Sequence, residues 1–151
     1  TWGLVHLISA NAALLLGTLV LLNKKGTPRH ILIARIYLGA MVFTNGTSFA
    51  LNNFGGFSPF HWLAVFSLAS VLIGYSFVLR KKGNWLPHHV GWMSGSVVGL
   101  YAALAAEISV RFFDPEAFWW VVILASSSVI FIGIYFIIRF QVKTLPSYFK
   151  K

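Results

Sequence analysis

Residues 118–138 read FWWVVILASSSVIFIGIYFII, a run with no charged side chain and no proline. A helix that crosses the hydrocarbon of a bilayer needs about 20 such residues. Four further runs upstream have the same character: Trp2–Asn23, His30–Asn52, His61–Leu79 and His89–Phe112. No run contains an internal proline, and the breaks carry the turn formers instead: Lys24-Lys25-Gly26, Gly55-Gly56, Lys82-Gly83-Asn84 and Asp114-Pro115. The expected fold is therefore all-α, an integral membrane protein with five transmembrane helices. The first run has no basic start and no small-residue cleavage site, so it reads as a retained span and not as a signal peptide. Thr1 is an unusual first residue, which suggests that an initiator Met or a longer leader precedes it.

Composition leads to the same class. Of 151 residues, 58% are hydrophobic, 17% aromatic and only 10% charged, with a mean hydropathy of +0.77. Soluble chains are about 25% charged, and a domain this small could not bury so much apolar surface. There is no cysteine, which excludes disulfides, thiolate metal sites, iron–sulfur clusters and cysteine nucleophiles. Three acids (Glu107, Asp114, Glu116) and five histidines are left for acid–base or ligand chemistry.

The charges set a direction. Lys24, Lys25 and Arg29 follow the first span, Arg80, Lys81 and Lys82 follow the third, and Arg139, Lys143, Lys150 and Lys151 follow the fifth. Alternating spans put all of them on one side, with Arg35 close to it. The other side holds Arg111 beside the three acids. Basic loops stay in the cytoplasm, which gives an outside N-terminus and a cytoplasmic C-terminus. The same distribution argues against nucleic acid, because no basic, aromatic-interleaved face exists. Trp2, Trp62, Trp85, Trp119 and Trp120 lie near span ends, where interfacial anchors belong.

A pattern of outer His, span, Lys-Lys-Gly, Pro, inner His and span occurs twice. His6 leads into Lys24-Lys25-Gly26, Pro28 and His30; His61 leads into Lys81-Lys82-Gly83, Pro87 and His88-His89. A parallel repeat implies a pseudo-two-fold axis along the membrane normal. The expected organisation is a four-helix, histidine-bearing bundle over 1–112, made of hairpins 2–52 and 61–112. A fifth helix at 118–138, read as a packing helix, and a cytoplasmic tail at 139–151 complete it. Positions 18 apart share a helix face, so His89 falls on one stripe with Met93, Ser96, Leu100, Ala103 and Glu107. His30 likewise aligns with Ala34, Tyr37, Met41 and Ser48, and His6 with the small residues Ala10, Ala13 and Gly17. Ionisable groups in a membrane normally face the bundle interior. The outer polar layer would hold His6, His61 and Glu107; the inner one would hold His30, His88 or His89, and Arg35. Bland alternatives stand beside these: helix-end histidines as caps, Glu107 in an exposed pair with Arg111 at i+4, and Arg35 reaching to headgroups.

Several of these segments together resemble a bacterial predicted-membrane-protein family, domain of unknown function 2306, over residues 4–112. The resemblance rests on His6 with its small, Leu-rich run, His30-x4-Arg35-x-Tyr37, residues 54–61 (FGGFSPFH), His89-x2-Trp92-Met93-x-Gly95-Ser96 and the Ala102–Arg111 stretch. It implies a place in the bacterial cytoplasmic (inner) membrane and transfers no catalytic residue. Val90 and Gly91 depart from the basic residue that many relatives carry after the inner histidine. The helix-and-histidine arrangement is similar to that of two-haem b-type membrane cytochromes.

Three functions fit the residues. The first is electron transfer through haem b, with one bis-histidine site per leaflet: His6 with His61, and His30 with His89 (or His88). The two sites would lie about 20–25 Å apart in depth, and Arg35 would suit a propionate. The second is a metal-dependent enzyme or metal-handling protein that uses His6, His61 and Glu107 for zinc, iron or copper. The third is a structural or assembly subunit of a larger membrane complex, with partner subunits or a redox partner in the bilayer. A reporter fused after Lys151 should read cytoplasmic, and one inserted at Gly55-Gly56 should read external. The opposite reading at either point overturns the five-span topology.

Overall fold

The structure is a computed structural model that describes residues 1–51 and 56–148. Asn52, Asn53, Phe54 and Gly55 of the expected second turn, and Lys150 and Lys151 of the tail, lie outside the described residues. Among the described residues five α-helices follow one another: α1 (Trp2–Leu22), α2 (Pro28–Ser48), α3 (Pro59–Arg80), α4 (Trp85–Ser109) and α5 (Phe118–Lys143). Short 3₁₀ turns at Pro115–Ala117 and Leu145–Tyr148 flank α5, and no strand occurs among the described residues. Among the described residues three segments are long and apolar enough to cross a membrane: Trp2–Leu22, Phe60–Arg80 and Pro115–Lys143. α2 and α4 reach a spanning length but are less apolar. They carry Arg29, His30, Arg35 and Asn45 in one case, and His88, His89 and Glu107 in the other.

Helix ends differ from the expected ones wherever a proline or a cap decides them. α2, α3 and α4 each contain a proline, at Pro28, Pro59 and Pro87, all in the first turn. A first-turn residue has no intrahelical partner for its N–H, so proline costs nothing there. Hence α4 begins at Trp85, ahead of the expected His89. α5 continues to Lys143, past the expected Ile138, because nothing in Arg139–Lys143 breaks a helix. The loops after α1 and α3 turn through glycines in the left-handed region, Gly26 (φ 77°) and Gly83 (φ 55°), which side chains with a Cβ rarely adopt. At the end of α1, Lys25 Nζ donates to the carbonyls of Val20 (2.8 Å) and Leu21 (2.6 Å). Burial pushes this ammonium below the ordinary lysine range.

The chain divides into two compact units, Thr1–Leu72 and Ile73–Lys151. In the first, α1 packs along α2. α1 presents Ser9, Ala13, Gly17 and Val20, and α2 presents Tyr37, Met41, Thr44 and Thr47. The small side chains let the backbones approach, and the burial of Tyr37 and Met41 is complete. Small residues at four-residue spacing serve this purpose between membrane helices. The stripes expected from Ala13–Gly17 and Tyr37–Met41 are thus the α1–α2 contact.

In the second unit α5 packs along α4, as a packing helix should. Val98 fills the space that a Cβ on Gly133 would need, and Ser126 Oγ donates to the Ala102 carbonyl at 3.3 Å. The last turns of α3 meet α4 at Gly74, where an added Cβ would come within 2.9 Å of Met93 Sδ and 3.0 Å of Trp92 Cβ. α4 departs from its expected stripe beyond Ser96. The buried positions there are Val97, Ala102 and Ala106, while Ala103 and Glu107 are exposed. α4 thus turns Ala102 and Ala106 inward and leaves the carboxylate on an exposed face. Gly133→Ala should lower the unfolding free energy in detergent by about 1–3 kcal/mol through overpacking against Val98. Gly99→Ala, with open space around it, should be neutral or mildly stabilising. Equal stability of the two variants would deny the α4–α5 contact.

Candidate functional site

A neutral imidazole has one N–H and one lone pair, so the partner of Nδ1 decides whether Nε2 can bind a metal. His6, half-buried on α1, has Nδ1 3.2 Å from the Thr44 carbonyl and 3.1 Å from Thr47 Oγ1 on α2. Thr47 Oγ1 itself donates to the same carbonyl at 2.9 Å. A carbonyl only accepts, so Nδ1 carries the hydrogen and Nε2 keeps its lone pair. His89, half-buried in the first turns of α4, donates Nδ1–H to the Gly74 carbonyl of α3 at 2.9 Å. His88 does the same to the Asn84 carbonyl at 2.7 Å and stacks on Phe77 with ring centroids 5.0 Å apart. Metal-binding histidines are held in this way by a carbonyl on the far nitrogen.

His61 has the opposite polarity. Its Nδ1 accepts the Ser58 backbone N–H at 3.0 Å, with Ser58 Oγ at 2.9 Å. Ser58, Pro59, Phe60 and His61 occupy the cap and first three positions of α3, where a backbone N–H has no helical partner. In a capping box a Glu or Gln side chain at the third position reaches back to that N–H, and here an imidazole serves. Nε2 then holds the proton and has no lone pair for a metal. The ring is buried, at 5% exposure, between Phe57 (stacked, 5.0 Å) and Phe49 (5.8 Å). His30 occupies the equivalent third position of α2, after Thr27 and Pro28, but there Thr27 Oγ1 accepts the His30 backbone N–H at 3.2 Å.

Of the remaining expected site residues, Arg35 is exposed and Glu107 is paired with Arg111 at 2.5 Å on an exposed face. His6, His30 and His61 belong to the first unit, and His88, His89 and Glu107 to the second. Each histidine named with a hydrogen bond is engaged by its own neighbours, and among the described residues no group of three His, Asp or Glu is close enough to hold a metal ion. The polar group that sequence reasoning missed is the cluster around His6: Ser9, Thr44 and Thr47, all buried. Thr44 and Thr47 were readable as a polar pair in the apolar run of α2, whereas their pairing with His6 needed the α1–α2 register.

Replacing His61 by Ala should cost at least about 1 kcal/mol, the worth of a helix cap, in a denaturation midpoint series. His61→Gln should recover part of that loss, because Gln retains an acceptor for the Ser58 N–H. Equal losses for both variants would remove the capping role. No protein-family model, no curated protein and no solved structure matches this chain, so its geometry alone carries the functional reading.

Proposed function

We propose that this chain is a five-span protein of the bacterial cytoplasmic membrane, N-terminus outside, that binds haem b and passes electrons across the bilayer. The observation that supports this most is the shared polarity of His6 and His89. Each gives Nδ1–H to a carbonyl of a neighbouring helix and keeps a lone pair on Nε2, the state an axial ligand needs. These residues fit haem, with His88 able to stand in for His89. His61 fits only if its ring is released from the Ser58 N–H, so the expected His6–His61 pair competes with the cap of α3. Haem held by such ligands supplies a one-electron couple whose potential follows axial ligand and burial. The chain's own part is to fix each ring: Thr44 and Thr47 set His6, and Gly74 sets His89. Tyr37 and Met41 on α2 and Met93 on α4 are buried apolar residues of the helices that hold these rings.

The outer His6, His61 and Glu107 alternative finds less support, since Glu107 is already held by Arg111 and His61 by Ser58. A subunit role is favoured by one observation: α5 has no fully buried residue along its whole length, so a partner helix or lipid covers its outer face.

The purified protein, produced with haem available, should show sharp reduced-minus-oxidised Soret and alpha bands. His6→Ala and His89→Ala should remove separate spectral components, and Glu107→Gln should leave both. His61→Gln keeps the cap, so loss of the His6 component in that variant would identify His61 as the second ligand. A colourless protein under these conditions would overturn the haem reading.

A further inference from the structure

Apart from Arg111, which is paired with Glu107, the described residues of the second unit carry five exposed cations, Arg80, Lys81, Lys82, Arg139 and Lys143, and three tethers bring the helix ends that bear them to one place. His89 Nδ1–H on the Gly74 carbonyl and His88 against Phe77 hold the last turns of α3 on the start of α4. Gln141 Nε2 donates to the Pro87 carbonyl at 2.9 Å, which holds the last turns of α5 on the same start of α4. The three acids of the chain are Glu107, near the far end of α4, and Asp114 and Glu116 beyond it. From Trp85 to Glu107 the helix rises about 33 Å, several Debye lengths at physiological salt. Among the described residues of this unit, no carboxylate can therefore balance the rim. Arg139 meets the Tyr135 ring and hydroxyl, the latter at 2.8 Å.

Beside these cations stand exposed apolar side chains, Leu79 on α3 and Ile138 and Val142 on α5. The rim is thus a band of positive charge bordering apolar walls. Free inorganic phosphate would satisfy the charge and leave the walls bare. A phosphodiester with acyl chains satisfies both, because its headgroup lies at the height of the cations and its chains run along the helices. We propose that this rim binds the headgroup of an anionic phospholipid. The proposal goes beyond the topogenic role of basic loops: it requires convergence of three helix ends, and it rests on the membrane placement proposed above.

The full chain, reconstituted in phosphatidylcholine vesicles with or without phosphatidylglycerol, tests it by thermal midpoint and by the phosphatidylglycerol that stays bound in native mass spectrometry. Lys81→Gln/Lys82→Gln should weaken retention by roughly tenfold or more, since each basic residue at an anionic surface contributes about fivefold. The control Lys24→Gln/Arg29→Gln removes the same charge from the loop of the first unit and should retain lipid nearly as the parent chain does. Equal retention by both double variants overturns the rim. Displacement of the bound lipid by inorganic phosphate overturns the choice of a lipid over a free anion. A parent chain that enters neither kind of vesicle overturns the membrane placement, and the proposal with it, whereas haem loss with lipid retention intact leaves the rim standing.

Discussion

A polar hydrogen on an apolar helix has one class of partner within reach, a backbone carbonyl of its own or a facing helix. Most helical hydroxyls and amides follow this rule, with the buried Thr44 Oγ1 an exception. Asn11 donates to Leu7, Thr18 to Leu14, Asn45 to Met41, Ser70 to Phe66 and Ser128 to Leu124, all one turn back on the same helix. Because these groups are satisfied locally, the outward faces of the helices remain apolar. The inward faces are free to be chosen for size, as Ala13, Gly17 and Gly133 show. An unsatisfied hydroxyl or amide would otherwise cost more than a typical helix–helix contact returns.

The same constraint sorts the histidines. Where a ring meets the side of a facing helix the available groups are carbonyls, so His6 and His89 give Nδ1–H and keep the Nε2 lone pair. His88 does so within its own first turn. At the start of α3 the orphan group is an N–H, and His61 turns its lone pair to it. A hydroxyl residue at the cap, then proline, one intervening residue and histidine open α2 and α3 alike, yet the outcomes differ. Thr27 accepts from the His30 backbone, whereas Ser58 donates to the His61 ring. Which group caps which depends on a side-chain rotation, and that rotation decides whether an imidazole is a ligand or a brace.

Charge follows a second division, along the axis of the second unit. Its acids lie at the end of α4 and the loop after it, its free cations at the other end. Glu107 could not serve both a polar layer and its neighbour at i+4. Arg111 holds it in an exposed pair worth little in stability, but sufficient to keep the carboxylate on the outer face of α4. Neutralisation of the cations at the far end must come from outside the unit.

Helices, their number and their approximate ends were legible from residues 118–138 and the four runs before them, because apolar length and turn chemistry are local properties. So were the stripes at Ala13, Gly17, Tyr37 and Met41, which stay in phase over two to three turns. The stripe from His89 to Glu107 was not, because small errors in residues per turn accumulate over five turns, and packing of α4 against α5 then selected Ala102 and Ala106 in place of Ala103 and Glu107. The span expected from His89 begins as a helix four residues earlier, at Trp85, since a proline before a helix and one in its first turn, as Pro87 is, look alike in sequence. The presence of a histidine on each of the first four helices was written in the chain. Which group meets Nδ1 of His6, His61, His88 and His89 was settled only by the tertiary structure, because it depends on whether a carbonyl or an N–H of another turn or helix comes to the ring.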